Sequence, residues 1–192
     1  MLARENPFRT EAVLRHRYSF LNTGSLDSLT ERFISIGGRA AIVGQKGRGK
    51  TTLLEDFCQH LTARGQRVAM LRLNCSPSSQ VTPLCRQLLA TSDTDAILVV
   101  DGAEQLNWLA WRRFQQQTRR FRGLLITTHR TGRLPPLIFC ETTAAVLHDA
   151  VKNIAPAELA NVRGELDSLF EQHGGNVREC LRTLYDRYAA LK

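Results

Sequence analysis

Residues 39–52 read RAAIVGQKGRGKTT, and the reading of this stretch decides the fold. The apolar run from Arg39 to Val43 predicts a strand covered on both faces. Gly44, Gly49, Lys50 and Thr51 then occupy every fixed position of GxxxxGK(S/T), and LLEDFCQHL continues as a helical pattern. Such a loop wraps consecutive backbone N–H groups around a phosphate, here from Gly44 through Gln45, Lys46, Gly47, Arg48 and Gly49, and the following helix N-terminus adds positive potential. Lys50 is positioned to reach the β and γ phosphates, the Thr51 hydroxyl to bind magnesium and Thr52 to reach the α phosphate. Lys46 and Arg48 add cations at variable positions, either touching a second phosphate or pointing to water.

Outward from this loop, short apolar runs alternate with helical patterns. Strands are predicted at Arg39 to Val43, Arg67 to Leu73, Ala96 to Val100, Leu124 to Thr127 and Leu137 to Cys140. Between them, Thr51 to Arg64, Val81 to Ala90 and Glu104 to Phe121 are each long enough for a right-handed crossover. The expectation is a three-layer α/β fold with a five-stranded, mostly parallel sheet. Ser25 to Ile36 predicts an amphipathic helix ahead of the first strand, and after Thr143 the pattern is wholly helical. Residues 1–150, with an N-terminal extension at 1–37, are expected to form the phosphate-binding domain, and residues 151–192 a small helical lid or appendage.

The composition agrees with one globular domain: 192 residues, 43% hydrophobic and 23% charged. No apolar run approaches the roughly 20 residues of a membrane span, and the opening residues lack the apolar core of a secretory signal. A soluble, cytoplasmic protein without membrane insertion is expected. Cys58, Cys75, Cys85, Cys140 and Cys180 are odd in number and form no CxxC pair, which argues for reduced, buried thiols. The net charge of +8 is uneven: residues 104–133 carry 7 basic and 1 acidic side chains, whereas residues 134–192 carry 6 and 8.

With its loop, strand and helix in series, the chain resembles the P-loop NTPases, which implies ATP and Mg2+ as ligands. AILVVDG, ending 51 and 52 residues after Lys50 in Asp101 and Gly102, looks like the Walker B element that holds magnesium through water. The intervening strand RVAMLRL resembles the branch with an added central strand, implying a sheet order of 5-1-4-3-2 and a short helical C-terminal lid. The NKxD guanine signature is absent. That branch places a catalytic glutamate beside the Walker B aspartate, where this chain has Gly102. Glu104 is the nearest carboxylate, able to act on water or simply to sit favourably in a first helical turn. In GLLITTHR, Thr127 or Thr128 matches a sensor of the γ phosphate. The string also resembles the STAND group and the ABC switch histidine, although His129 reads better as a strand-end residue.

GGNVRECLRTLYDRYAAL resembles the second sensor of an AAA+ lid, with Arg178 touching the γ phosphate from a helix start. Asn176 and Glu179 read there as a helix N-cap pair. NPFRT, Tyr18, Phe20 and SLDSLTERF resemble small AAA+ ATPases of the general-secretion and transposition type. In these, residues ahead of the loop line the adenine site, and Phe8 and Phe20 are candidates for it or for the core.

In LNWLAWRRFQQQTRRFRG, Arg112 and Arg119 are seven apart, as are Arg113 and Arg120, so a continuous helix returns all four to one side. The stripe is suited to an acidic protein surface or nucleic acid. Trp108 and Trp111 read as packing or interface-edge residues and not as a base-stacking platform, and Arg130 or Arg133 as arginine fingers in an oligomer. The expected function is Mg-ATP binding with slow hydrolysis as a switch, using Lys50, Glu104, Thr128 and Arg178. The rival is a non-hydrolysing, nucleotide-dependent adaptor docking on nucleic acid or a larger complex; a small-molecule kinase comes third.

Overall fold

The computed structural model describes residues 6–9, 24–73 and 78–190, and the structural statements below concern these. Tyr18, Phe20 and Cys75 lie outside them. Contacts divide the chain into a sheet unit, residues 23–45 and 50–140, and a helical unit, residues 1–22, 46–49 and 141–192.

In the sheet unit, helix α1 (Leu26–Ser35) begins where Ser25 and Ser28 cap each other. The Ser28 N–H donates to Ser25 Oγ at 3.2 Å and the Ser25 N–H to Ser28 Oγ at 3.0 Å, serine standing in for the usual Glu of a capping box. Strands β1 (Arg39–Val43), β2 (Val68–Arg72), β3 (Ile97–Asp101), β4 (Gly123–Thr128) and β5 (Pro136–Phe139) form one sheet in the order β2-β3-β4-β1-β5. Every pairing is parallel, and the order is the expected one read from the opposite edge. Apart from Arg39, β1 is buried along its length, as are β3 and β4 throughout. Their continuous apolar runs are the signature of strands covered on both faces.

Alternation along the strands builds the layers. Ala41, Val43, Leu98, Val100, Leu124 and Ile126 share a core with α3 (Ser78–Thr91) and α4 (Trp108–Gln117). Their neighbours Ala40, Ile42, Ile97, Val99 and Leu125 point the other way. There α1 and α2 (Lys50–Ala63) pack, with Phe33 edge-on to Phe57 at 6.0 Å. Register brings the C-terminal ends of β1, β4 and β3 to one edge of the sheet: Val43 lies beside Thr128, and Val100 beside Ile126. Ligands of open parallel sheets bind at that edge.

The expected continuous helix from Glu104 to Phe121 is not formed. Residues Ala103–Gln105 make a separate 3-10 turn, Leu106 is extended, and Asn107 caps α4 by accepting the Ala110 N–H at 2.9 Å. A short side-chain acceptor that competes for backbone donors starts a new helix here. Beyond Gln117, Thr118–Arg120 tighten into a second 3-10 turn, which winds faster than an α-helix. The seven-residue return of the arginines therefore fails at its end. Arg120 donates through Nη2 to the Leu89 carbonyl of α3 at 2.7 Å and lies over Phe121, while Arg112, Arg113 and Arg119 line a different concavity.

The helical unit contains α5 (Ala144–Ile154), α6 (Leu159–Val162), α7 (Leu166–Gln172) and α8 (Val177–Ala190). Its compact part thus starts at Glu141, ten residues ahead of the sequence-expected boundary. Leu147, Val151, Leu166, Leu169, Leu181 and Leu184 form its core together with Phe8. Phe8 is 2% exposed and edge-on to Tyr188 at 5.3 Å, and the neighbouring Asn6 Nδ2 donates to the Tyr185 carbonyl at 2.9 Å. Of the two roles considered for Phe8, the structure shows the core one.

Cys58, Cys85, Cys140 and Cys180 are buried thiols. Burial pushes the Cys58 thiol up to about 12, so it stays protonated and unreactive. No helix among the described residues is long and apolar enough to cross a membrane.

Candidate nucleotide-binding site

The sheet unit places most of the sequence-singled residues at the C-terminal ends of β1, β3 and β4. Lys50 opens α2 and is nearly buried, and its Nζ donates to the Gln45 carbonyl at 2.9 Å. The first turn of α2 holds no acidic residue, so its N-terminal positive potential is not neutralised within the turn. Gly44 closes β1 by donating its N–H to the Thr128 carbonyl at 3.1 Å. Thr51 and Thr52, one and two residues into the helix, are half-buried.

Asp101 ends β3 at 2% exposure. Its Oδ2 accepts from Thr51 Oγ1 at 3.1 Å and its Oδ1 from Thr127 Oγ1 at 2.6 Å. A buried carboxylate beside a hydroxyl is a donor set of the hard oxygen type that suits Mg2+, which takes one or two protein oxygens and completes its shell with water and phosphate. Thr51 and Asp101 fit the ion on that ground. Among the described residues there is no cluster of three or more His, Cys, Asp or Glu that would form an all-protein metal cage.

Thr127 Oγ1 also accepts the Gly102 N–H at 2.8 Å, so one hydroxyl serves two groups at the end of β3. The sequence had grouped Thr127 with Thr128 as a phosphate sensor; its tie to Asp101 was readable only from the β3–β4 register. Thr127→Val should leave the Gly102 N–H unpaired in the core, lowering stability by about 1–3 kcal/mol. Thr127→Ser should recover most of that loss. Urea unfolding of the three proteins is the check, and equal midpoints would show that the bond contributes nothing.

Gly102 adopts φ 89, a left-handed conformation that disfavours any side chain. A glutamate directly after Asp101 would be strained at this backbone angle, and the nearest carboxylate is Glu104 on the 3-10 turn. This corrects the expectation that Glu104 starts the following helix. Glu104 Oε1 lies 3.2 Å from His129 Nε2, while its Oε2 is buried without a hydrogen-bond partner among the described residues. Thr128 is also buried, and its hydroxyl donates to the Arg130 carbonyl at 3.2 Å within the turn after β4. Arg133, a suggested finger, is instead tied into its own unit: Nη2 donates to the Leu106 carbonyl at 2.6 Å and the guanidinium stacks on Trp111.

Within the helical unit, the loop tip Lys46–Gly49 meets the start of α8. Arg48 Nη2 donates to the Gly174 carbonyl at 3.4 Å, and a Cβ added to Gly47 would fall 1.7 Å from Asn176 Oδ1. The same Asn176 oxygen accepts the Glu179 N–H at 3.2 Å, giving the N-cap read from the sequence. Lys46 is exposed and so is Arg178, two residues beyond the cap.

A family model described as "Methylmalonyl Co-A mutase-associated GTPase MeaB" matches residues 20–84, roughly a third of the chain. The match spans α1, β1, the phosphate loop, α2 and β2 and stops before Asp101. No match is found among curated proteins. Fold, loop and match agree on a P-loop NTPase fold with a nucleotide-binding loop. The match supports that broad class and lends no support to the AAA+ secretion and transposition type.

Proposed function

We propose that the protein is a magnesium-dependent nucleoside-triphosphate switch, with the phosphate loop as its nucleotide site. The observation that carries this reading is the convergence of Lys50, Thr51 and Asp101 at one sheet edge, with the Thr51 hydroxyl 3.1 Å from the Asp101 carboxylate. Lys50 and the amides of 44–52 would hold the phosphates, and Thr51 and Asp101 would hold the ion. When bound, magnesium supplies charge stabilisation at the phosphates. Hydrolysis would be water attack on the γ phosphorus, breaking the bond to the β-γ bridging oxygen and releasing diphosphate nucleotide and inorganic phosphate. Glu104 is the group placed to accept the water's proton, and Thr128 and Arg178 are the proposed phosphate-reporting positions. The proposed division of labour gives nucleotide binding chiefly to residues 23–140 and leaves 141–192 as a small helical lid or appendage.

GTP is the first choice of nucleotide, because the matched family is described as a GTPase. ATP is the second, favoured by the lack of an NKxD string for reading guanine. Calorimetry with Mg-GTP and Mg-ATP should give tight binding of one and weaker binding of the other. Absence of binding by either would overturn the switch, and tighter ATP binding would overturn the guanine choice alone.

A further inference from the structure

Beside the nucleotide site, the sheet unit carries a second surface that the proposed switch does not use. Along α4 and the turn after β4 lies a concavity of about 830 Å³. Arg112, Arg113 and Arg119 line it from the helix side, Arg133 and Thr131 from the turn, and Trp108 stands at its margin, 68% exposed. This exposure leaves the interface-edge alternative for Trp108 and removes the packing one; Trp111, at 6%, does pack.

Three features set the chemistry of its ligand. First, the lining holds four guanidinium groups and no carboxylate. Arg113 and Arg119 form no ion pair with any described residue, and the Arg119 charge, after burial, helps hold the Arg39 guanidinium below its ordinary value. Glu104 acts on Arg133, while Arg112, Arg113 and Arg119 cluster three further guanidinium groups here, which favours a polyanion. Second, Trp108 offers an exposed indole with the Arg112 guanidinium 5.1 Å from its ring centroid. A cation stacked on an exposed indole is the arrangement that accepts a further flat π system. Third, besides Trp111 and Gly132 the remaining lining is amide and hydroxyl, Gln115, Gln116 and Thr131, with no aliphatic side chain among it. The buried apolar pocket that anchors a protein partner is missing, while neutral donors and acceptors suit sugar and base edges.

We propose that this concavity binds single-stranded nucleic acid, with the arginines on consecutive phosphates and a base stacked on Trp108. A duplex keeps its bases inside and has no use for the indole, whereas an exposed strand engages both kinds of group. Arg133 lines the concavity but is held from within: its guanidinium bonds the Leu106 carbonyl, stacks on Trp111 and feels the Glu104 charge. Arg120, tied to Leu89, is not part of this surface.

The test uses the full chain and a fluorescein-labelled 20-nucleotide oligo(dT), with oligo(U) as a second probe, read by anisotropy at several salt concentrations. The chain has two tryptophans, Trp108 and Trp111, so intrinsic fluorescence reports on this surface directly. Binding with quenching is expected, and Trp108→Ala should weaken it ~10-fold while Trp108→Phe retains most of it. Changing Arg112, Arg113 and Arg119 to Gln should flatten the slope of log affinity against log salt by about two, the share of three phosphate contacts on a single strand. Melting temperatures of all variants should stay near wild type. The proposal is overturned if neither oligonucleotide binds at low salt, if Trp108→Ala binds as wild type, or if a duplex of equal length competes as well as the single strand. It is also overturned if poly-glutamate of matched charge displaces the oligonucleotide as effectively, which would make the surface a dock for acidic protein. None of these outcomes depends on whether the phosphate loop takes GTP, ATP or neither.

Discussion

Lys50→Ala is expected to lower affinity for the magnesium nucleoside triphosphate on the order of 100-fold, since each hydrogen bond to a charged group contributes about 1.5–3 kcal/mol and one ammonium serves two phosphates. In the structure this ammonium donates to the Gln45 carbonyl at the start of the loop. Binding would give the ammonium charged phosphate acceptors, and charge-assisted hydrogen bonds are stronger than neutral ones. The side chain is nearly buried, so truncation also removes packing, and Lys50→Met is the control that keeps the stem while removing the charge. Both variants should bind weakly by calorimetry, with Lys50→Met melting close to wild type. Equal affinity of wild type and Lys50→Met would remove the loop as the nucleotide site, because no other cation opens α2.

The same stretch explains why the sheet was legible. β1, β3 and β4 are central strands covered on both faces, so burial selects continuous apolar runs that stand out in a chain without repeats. Their order was implied by resemblance, through the intervening strand RVAMLRL, to the P-loop branch with an added central strand. What escaped reading was set by backbone detail. Arg112 to Arg120 looked like one stripe because a helical period was assumed to run from Glu104 to Phe121. Asn107 and the 3-10 turns at each end break that period without altering the hydrophobic pattern. The tie of Thr127 to Asp101 crosses two strands 26 residues apart and exists only in the register. Phe8 gave no local sign of its place either, since its partners Tyr188 and Leu184 lie at the far end of the chain.

Hydrolysis should depend on Glu104 more than on any other carboxylate, and Glu104→Gln is expected to slow single-turnover cleavage ~100-fold while leaving nucleotide affinity unchanged, the scale of losing a general base. The geometry supports this choice in two ways. Gly102 at φ 89 would strain a side chain beside Asp101, and the 3-10 turn Ala103–Gln105 then carries Glu104 back near the end of β4. One carboxylate oxygen faces His129 at 3.2 Å, and the other is buried with no hydrogen-bond partner among the described residues. An acceptor in that state is costly unless something donates to it, and a water held for attack on the γ phosphorus is such a donor. Arg133 stands close enough to interact with the same carboxylate: its own guanidinium is held below the ordinary arginine value by burial, and Glu104 opposes that shift. Glutamine keeps the size of the side chain and an oxygen facing His129, so the fold should persist and a loss of rate would report on proton acceptance. An unchanged single-turnover rate in Glu104→Gln would place the base elsewhere. Wild-type protein that binds nucleotide but shows no turnover would favour the adaptor reading, in which binding alone sets the state.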